Sequence, residues 1–102
     1  MEHQDLFSGF IHLHILHHAA EGDLFGLGMI RELRRHGYEL SPGTLYPLLH
    51  RLEQRGHIVS RRKGVAGRIR RVYRITPAGR KLLREARHKV QELFAELLEG
   101  RS

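Results

Sequence analysis

The sequence has no cysteine and no tryptophan, only two aspartates, and no acidic residue between Gln54 and Arg84. Without cysteine there is no disulfide framework and no thiol chemistry, and nothing ties the chain to an oxidising compartment. No apolar run approaches the roughly 20 residues that cross a bilayer as a helix. The opening MEHQDLF lacks the basic segment and apolar core of a secretory signal. A soluble, cytoplasmic protein without a membrane partner is expected. A glycine-rich phosphate loop and a Gly-x-Ser-x-Gly elbow are also missing, so no set of nucleophile, base and orienting group can be assembled. An enzyme is not expected.

What is present is positive charge. The 102 residues carry 18 Lys and Arg against 11 Asp and Glu, a net charge of +7. Eleven of the 18 basic residues fall within the acid-free stretch from Gln54 to Arg84. Such an excess favours a polyanionic partner. The length allows one domain with a modest core, and the 40% apolar and 28% charged content is that of a globular protein.

Leu6, Phe10, Leu13 and Leu16 recur at steps of three and four, with Phe7, Ile11 and Ile15 as a second row. This predicts a helix buried on a broad face from Leu6 to Ala20. Gly22 stops it, and Asp23 is placed to cap a second helix from about Phe25 to His36, with Leu27, Ile30 and Leu33 inward and Gly37 at its end. Ser41-Pro42 opens a third helix, since the hydroxyl suits a free backbone amide and proline suits the first helical position. Leu45, Leu48, Leu49 and Leu52 follow at helical spacing, and Gly56 ends the segment. Pro47 removes one hydrogen bond and crowds a carbonyl four residues back, so an irregular first turn, or a start delayed toward Thr44, is expected.

Two β-rich runs, Ile58 to Lys63 and Arg68 to Ile75, flank the breaker Gly64-Val65-Ala66-Gly67 and read as a hairpin. Thr76-Pro77 repeats the cap-plus-proline signal and opens a last helix of 24 residues to Gly100. On it Leu83, Ala86, Val90, Leu93 and Leu97 step by three and four, and Leu82, Phe94 and Leu98 widen the stripe. The expected fold is mainly α with a small β-hairpin. It is a winged helix-turn-helix DNA-binding domain over 1–76 and a long C-terminal dimerisation helix over 77–102, together one compact unit.

In a winged helix-turn-helix the third helix lies in the major groove and the hairpin reaches along the backbone. Here the hairpin supplies Arg61, Arg62, Lys63, Arg68, Arg70, Arg71 and Arg74, and strand alternation sends several to one face while Tyr73 and Ile75 turn inward. Charge runs are usually solvated surface, but those ordinarily mix signs. A wholly cationic run is better explained by phosphate binding. On the third helix Thr44, Tyr46, His50, Arg51 and Gln54 point away from the leucines, and Arg51 and Gln54 are chemically suited to guanine and adenine. The plainer alternatives are that Tyr46 packs at the helix entrance and that Arg51 pairs with a neighbouring glutamate.

The run Ser41-Pro42-Gly43-Thr44-Leu45-Tyr46-Pro47-Leu48-Leu49-His50-Arg51-Leu52-Glu53, followed by Tyr73-Arg74-Ile75-Thr76-Pro77-Ala78-Gly79, resembles the signature of the PadR family. The similarity extends from roughly Ile15 to Leu83. It implies a bacterial or archaeal transcriptional repressor of the short class. Such a protein dimerises through its last helix, binds an inverted repeat in double-stranded DNA, and lets go when an effector binds near the dimer interface. By the same resemblance, Ser41, Thr44, Tyr46, Pro47 and the basic wing would contact DNA. The sequence departs from the family at Gly26-Leu27-Gly28, where Gly-Tyr-Glu is common, and at His57, where a large apolar residue is common.

A 24-residue helix spans about 36 Å, most of it with nothing to pack on in so small a fold. Its stripe of Leu83, Ala86, Val90, Leu93, Phe94 and Leu97 therefore calls for a second copy of the chain, with Leu6, Phe7 and Phe10 joining a shared interface. Packing on the first helix of its own chain is the alternative. No cofactor is required, and two effector classes compete. One is a small aromatic or apolar molecule among Phe7, Phe10 and Phe94. The other is a divalent transition metal such as zinc at His14 and His18, four apart on one helix face, with His17 adjacent and Glu21 a turn on. Five of the nine histidines fall in the first 18 residues, but the zinc-protease pattern would need glutamate where Ile15 stands. Polar histidines on an exposed face are the plainer reading. A non-catalytic adaptor for RNA or an acidic protein remains as another class, disfavoured because a winged helix has no aromatic sheet surface for stacking unpaired bases.

Overall fold

The chain was analysed as a computed structural model that describes residues 4–101, so the outermost ends of the two expected segments lie outside the described residues. In chain order the elements are α1 (Gln4–Glu21), β1 (Leu24–Phe25), α2 (Gly26–Arg35), α3 (Pro42–Gln54), β2 (Ile58–Val65), β3 (Arg68–Ile75) and α4 (Pro77–Leu97). Each of the first three helices buries one face in a common core. Ile11, Ile15, Leu16 and Ala19 come from α1, Met29, Ile30 and Leu33 from α2, and Leu45, Leu48, Leu49 and Leu52 from α3. Leu24, Ile58, Tyr73 and Ile75 close it from the sheet.

On α1 the row through Ile11 and Ile15 is sealed, whereas Leu6 and Phe10, also expected at a shared interface, are exposed within the single chain. One inward row differs from expectation. On α2, Leu27 is exposed and Met29 buried. With α2 starting at Gly26, the helical advance puts Gly26, Met29, Ile30 and Leu33 on one face and Leu27 beside it.

Asp23 does not cap α2. Leu24 and Phe25 pair with Tyr73 and Val72 as a short strand at one edge of a three-stranded antiparallel sheet ordered β1-β3-β2. Asp23 thus precedes a strand rather than a helix, and α2 begins after Phe25 with no side-chain cap.

Ser41 occupies the cap position of α3 with extended backbone, but its hydroxyl lies 3.3 Å from Thr44 Oγ1 and makes no bond to a backbone amide. The helix starts at Pro42, not later. The Ser41 carbonyl accepts from the N–H groups of both Thr44 and Leu45 at 3.0 Å, which tightens the first turn, and Pro47 stands inside the helix without ending it. At the other end Gly56, at φ 81°, turns the chain out of α3, with Gly56 N–H donating to the Glu53 carbonyl and His57 N–H to that of Leu52.

β2 and β3 pair from Ile58↔Ile75 to Val65↔Arg68. The turn is therefore only Ala66-Gly67, both at positive φ as a two-residue mirror-image turn requires, and shorter than the four-residue breaker expected. A type of turn so tight preserves register to the very tip of the wing.

Thr76 is the one side-chain cap among the described helices that forms as expected, accepting from Gly79 N–H at 3.0 Å. Its hydroxyl also donates to the Gly56 carbonyl at 2.5 Å, and its N–H donates to the His57 carbonyl at 3.1 Å. The fold uses residue 57 through its carbonyl, while the histidine side chain leaves Nδ1 buried without a hydrogen-bond partner. α4 runs 21 residues, three fewer than expected, or about 32 Å.

Gly79 lies so close to the α3–β2 connection that a Cβ there would sit 2.1 Å from the His57 carbonyl oxygen and 2.7 Å from Ile75 Cγ1. Backbone cannot swing away as a flexible side chain can. Gly79→Ala is expected to destabilise the fold by about 1–3 kcal/mol, read as a lower urea midpoint; an unchanged midpoint would show that the contact is slack.

Candidate nucleic-acid interface

The leucine row of α3 faces the core, so helical geometry turns Ser41, Thr44, Tyr46, Pro47, His50, Arg51 and Gln54 outward, and all seven are exposed. Tyr46 does more than face solvent. Its ring lies over the start of α2, where a Cβ on Gly26 would come within 2.5 Å of the hydroxyl. The helix-entrance packing weighed for Tyr46 is thus present, and a side chain at 26 would have to displace that ring, whereas Gly28 has no such neighbour. The alternative for Arg51 is not: Glu53 instead accepts from Ser60 N–H at 2.9 Å and from the Ser60 hydroxyl at 2.7 Å, fastening the end of α3 to β2.

Strand alternation divides the wing into two faces. On the face toward α3 lie the pairs Ile58↔Ile75, Ser60↔Tyr73 and Arg62↔Arg71; on the outer face lie Val59↔Arg74, Arg61↔Val72 and Lys63↔Arg70. The inner face and α3 share one electrostatic neighbourhood. The Ser60 hydroxyl holds the Glu53 carboxyl below its usual range, with Arg71 and His50 adding to the effect. Burial pushes the Tyr73 phenol up, while Arg71 acts against it and Tyr46 with it. Arg71 of the wing therefore stands near His50 and Tyr46 of α3.

On the outer face the sequence-based expectation needs correcting. Arg61 and Lys63 are not free cations. Asp23 accepts from Lys63 Nζ at 2.6 Å, from Arg61 at 3.0 and 3.2 Å, and from Arg74 at 3.3 Å. These cations, Lys63 foremost, hold the Asp23 carboxyl at about 2 against the opposing effect of desolvation. The partners are 38 to 51 residues apart, so composition of the 54–84 stretch carried no sign of them. Among the described residues, no carboxylate pairs with Arg62, Arg68, Arg70 or Arg71, leaving them as the open positive charges of the wing.

The histidine-rich α1 also differs from expectation. His14 stacks on His36 with ring centroids 4.5 Å apart and meets Tyr38 edge-on, so it is turned away from the grouping that forms lower down. There His17 Nε2 lies 3.6 Å and His18 Nδ1 3.4 Å from Glu21 Oε1. Donor atoms of His17, His18 and Glu21 all fall within 4.8 Å of one another. His14 and His18 are thus replaced by His17, His18 and Glu21 as the set that could hold a metal.

α4 buries only Gly79 fully. Leu83 and Ala86 are half-buried, while Val90, Leu93, Phe94 and Leu97 are exposed, Leu97 by 72%. Leu13, His17, Leu83, Ala86, Arg87, Val90 and Gln91 line an open groove of about 400 Å³ between α1 and α4. Phe7 and Phe10 sit together, centroids 6.4 Å apart, and Phe94 is half exposed on α4. The alternative of packing on α1 is thus met by the first half of α4, while its second half is uncovered within the single chain.

The Transcriptional regulator PadR-like family matches residues 15–85 of this chain. The chain belongs to that family. It is 56% identical over 92 residues to the Transcriptional regulator Rv3488 of Mycobacterium tuberculosis, covering 90% of this chain and 86% of the relative. Among solved structures it resembles the PadR-like transcriptional regulator of Bacillus cereus, with a TM-score of 0.81 at 27% identity, covering 95% of this chain and 99% of that one. It also resembles the PadR family regulator of Eggerthella lenta, with a TM-score of 0.75 at 30% identity, covering 87% and 79%. The fold of this PadR regulator is thus the expected winged helix, extended by the strand β1, and its role is transcription regulation, which implies DNA binding.

Beneath the recognition helix, His12 of α1 is held below its usual value, chiefly by burial and then by Arg55 and Arg51 at the end of α3. A histidine neutral in the folded state and ordinary in the unfolded one contributes its stability above about 6.5 and loses it as pH falls toward the lower folded value. The melting temperature is expected to drop between pH 7.5 and pH 5, and His12→Gln to reduce that drop. Identical pH profiles for the two proteins would remove His12 from the account.

Proposed function

We propose that this PadR-family chain is a dimeric repressor that reads an inverted-repeat operator in double-stranded DNA. α3 enters the major groove through Thr44, His50, Arg51 and Gln54, and Ser41, Tyr46 and Pro47 border the entry. Arg62, Arg68, Arg70 and Arg71 meet phosphates. The observation that carries this reading is that Arg71 of the wing stands with His50 and Tyr46 of α3 around Glu53 and Tyr73, on the side to which the exposed polar row of α3 turns. Phosphate contacts set position, and base-edge contacts set sequence. The uncovered stripe of Val90, Leu93, Phe94 and Leu97 supports pairing through α4, which places two reading heads on half-sites about one turn apart. The chain acts without catalysis, and an aromatic or apolar effector lodged near Phe7, Phe10 and Phe94 of the paired chains would release the DNA.

A second reading of the effector is favoured by the cluster on α1. His17, His18 and Glu21 offer two nitrogens and one carboxylate, a donor set suited to zinc, with water completing four-coordination. Calorimetry with zinc is expected to give saturable heat that the joint His17→Ala and His18→Ala changes abolish; heat unaffected by those changes would eliminate this reading.

For DNA binding, the test is fluorescence anisotropy with the duplex upstream of the protein's own gene, at several salt concentrations. Two chains are expected per specific site. Replacing Arg68, Arg70 and Arg71 together with glutamine should weaken binding to every duplex and make the slope of log affinity against log salt shallower by about 2 to 3 for each bound chain. Arg51→Ala should change preference among sequences. Absence of duplex binding by the unaltered protein at low ionic strength would overturn the proposal.

A further inference from the structure

Three cations of the acid-free wing are paired from outside its own sequence, by one carboxylate. Asp23 belongs to the junction between α1 and β1, and pairing of Leu24 with Tyr73 sets it beside the outer face of the sheet. Arg61 and Lys63 stand two apart on β2, on the same side of the pleat, and Arg74 reaches in from β3. All three meet Asp23, whose side chain is only 13% exposed while theirs remain 44 to 54% exposed. Among the described residues, no other carboxylate pairs with a wing cation.

The arrangement has a directional consequence. A hairpin lying along a DNA groove has a sugar-phosphate backbone on either side. The face toward α3 offers Arg62 and Arg71 free of any ion pair, whereas on the outer face three cations are bound to one carboxylate and only Arg68 and Arg70 stay open. Phosphate oxygens and the Asp23 carboxylate compete for the same N–H donors. We propose that Asp23 is a specificity-determining residue, which withholds Arg61, Lys63 and Arg74 from DNA phosphates and so limits how tightly the wing grips duplexes of any sequence.

Electrostatic grip of this kind is indifferent to sequence, and each phosphate neutralised adds about 0.9 to the slope of log affinity against log salt. Three extra cations, made available at once, would raise affinity for every site in a genome together, diluting what α3 reads. Withholding them keeps the balance on the side of base contacts. The three cations also hold the wing to the β1 end of the sheet through Asp23, so the same contact orients the hairpin.

This inference rests on the DNA-binding reading, and the experiment separates the two. Full-length protein is titrated with a random-sequence duplex of about 30 base pairs, long enough for two half-sites a turn apart, over a range of salt concentrations. If the unaltered chain ignores that duplex even at low ionic strength, the DNA-binding reading itself fails. Given binding, Asp23→Asn is expected to tighten it by about tenfold or more at low salt and to steepen the slope by up to about 2.7 for each bound chain, about 5 for two. An unchanged or shallower slope in a folded Asp23→Asn protein overturns the proposal. Where that variant does not fold, the joint change of Arg61, Lys63 and Arg74 to glutamine, with Asp23 kept, decides the matter. The slope is then expected to stay within about 0.5 of the unaltered value, and a loss of about 2.7 for each bound chain would mean that the three cations already bind phosphate.

Discussion

The reading head depends on one packed seam, the burial of Leu45, Leu48, Leu49 and Leu52 against the isoleucines and leucines of α1 and α2. Each such side chain contributes roughly 2 kcal/mol when fully removed from water, and no polar residue of α3 competes for the buried side. Because the leucines occupy one arc of the helix, the polar row has only the outward arc left to it. Two further contacts remove the remaining freedom. Tyr46 lies against Gly26 at one end of α3, and Glu53 takes two hydrogen bonds from Ser60 at the other. A helix pinned at both ends and along one side presents its side chains at fixed positions, as recognition of base edges requires.

Much of this was readable from local pattern. The four helices, the hairpin and the inward turn of Tyr73 and Ile75 follow from spacing, because a period of 3.6 or of 2 is a property of neighbouring residues. The family signature around Ser41 and Thr76 was legible for the same reason. What escaped depended on distant pairing. A two-residue strand such as Leu24-Phe25 has no periodicity to detect, and without it Asp23 looked like a helix cap. Its three cationic partners lie across the sheet, so the wing looked wholly unneutralised. Leu27 was misjudged because an apolar residue at helical spacing shows only that some face is apolar, not which neighbours cover it. The phase of α2 was settled by where the strand before it ends. Among the histidines, spacing of four suggested His14 with His18, but the ring of His36 occupies one side of His14 and the carboxylate of Glu21 draws His17 and His18 together.

Charge in this regulator is arranged in layers rather than spread evenly. Arg71 sits near the recognition helix, Arg68 lies at the tip where the turn is too tight to let register slip, and the outer cations are tied to the body of the fold. His12 adds another layer below α3, where the positive ends of Arg51 and Arg55 favour its neutral form. Net charge alone described none of this, since +7 is compatible with a single diffuse field.

α4 touches the remainder of the chain chiefly at its beginning, where Thr76 and Gly79 dock on the α3–β2 connection, and along α1. Nothing in the base-reading row of α3 leans on its far end. In the proposed dimer, substitutions near Leu93 and Leu97 would alter how two subunits are held apart, and with it the phasing of the sites they occupy, while the letters read at each site would stay the same. The spacing of a target and its sequence would then be separately heritable traits.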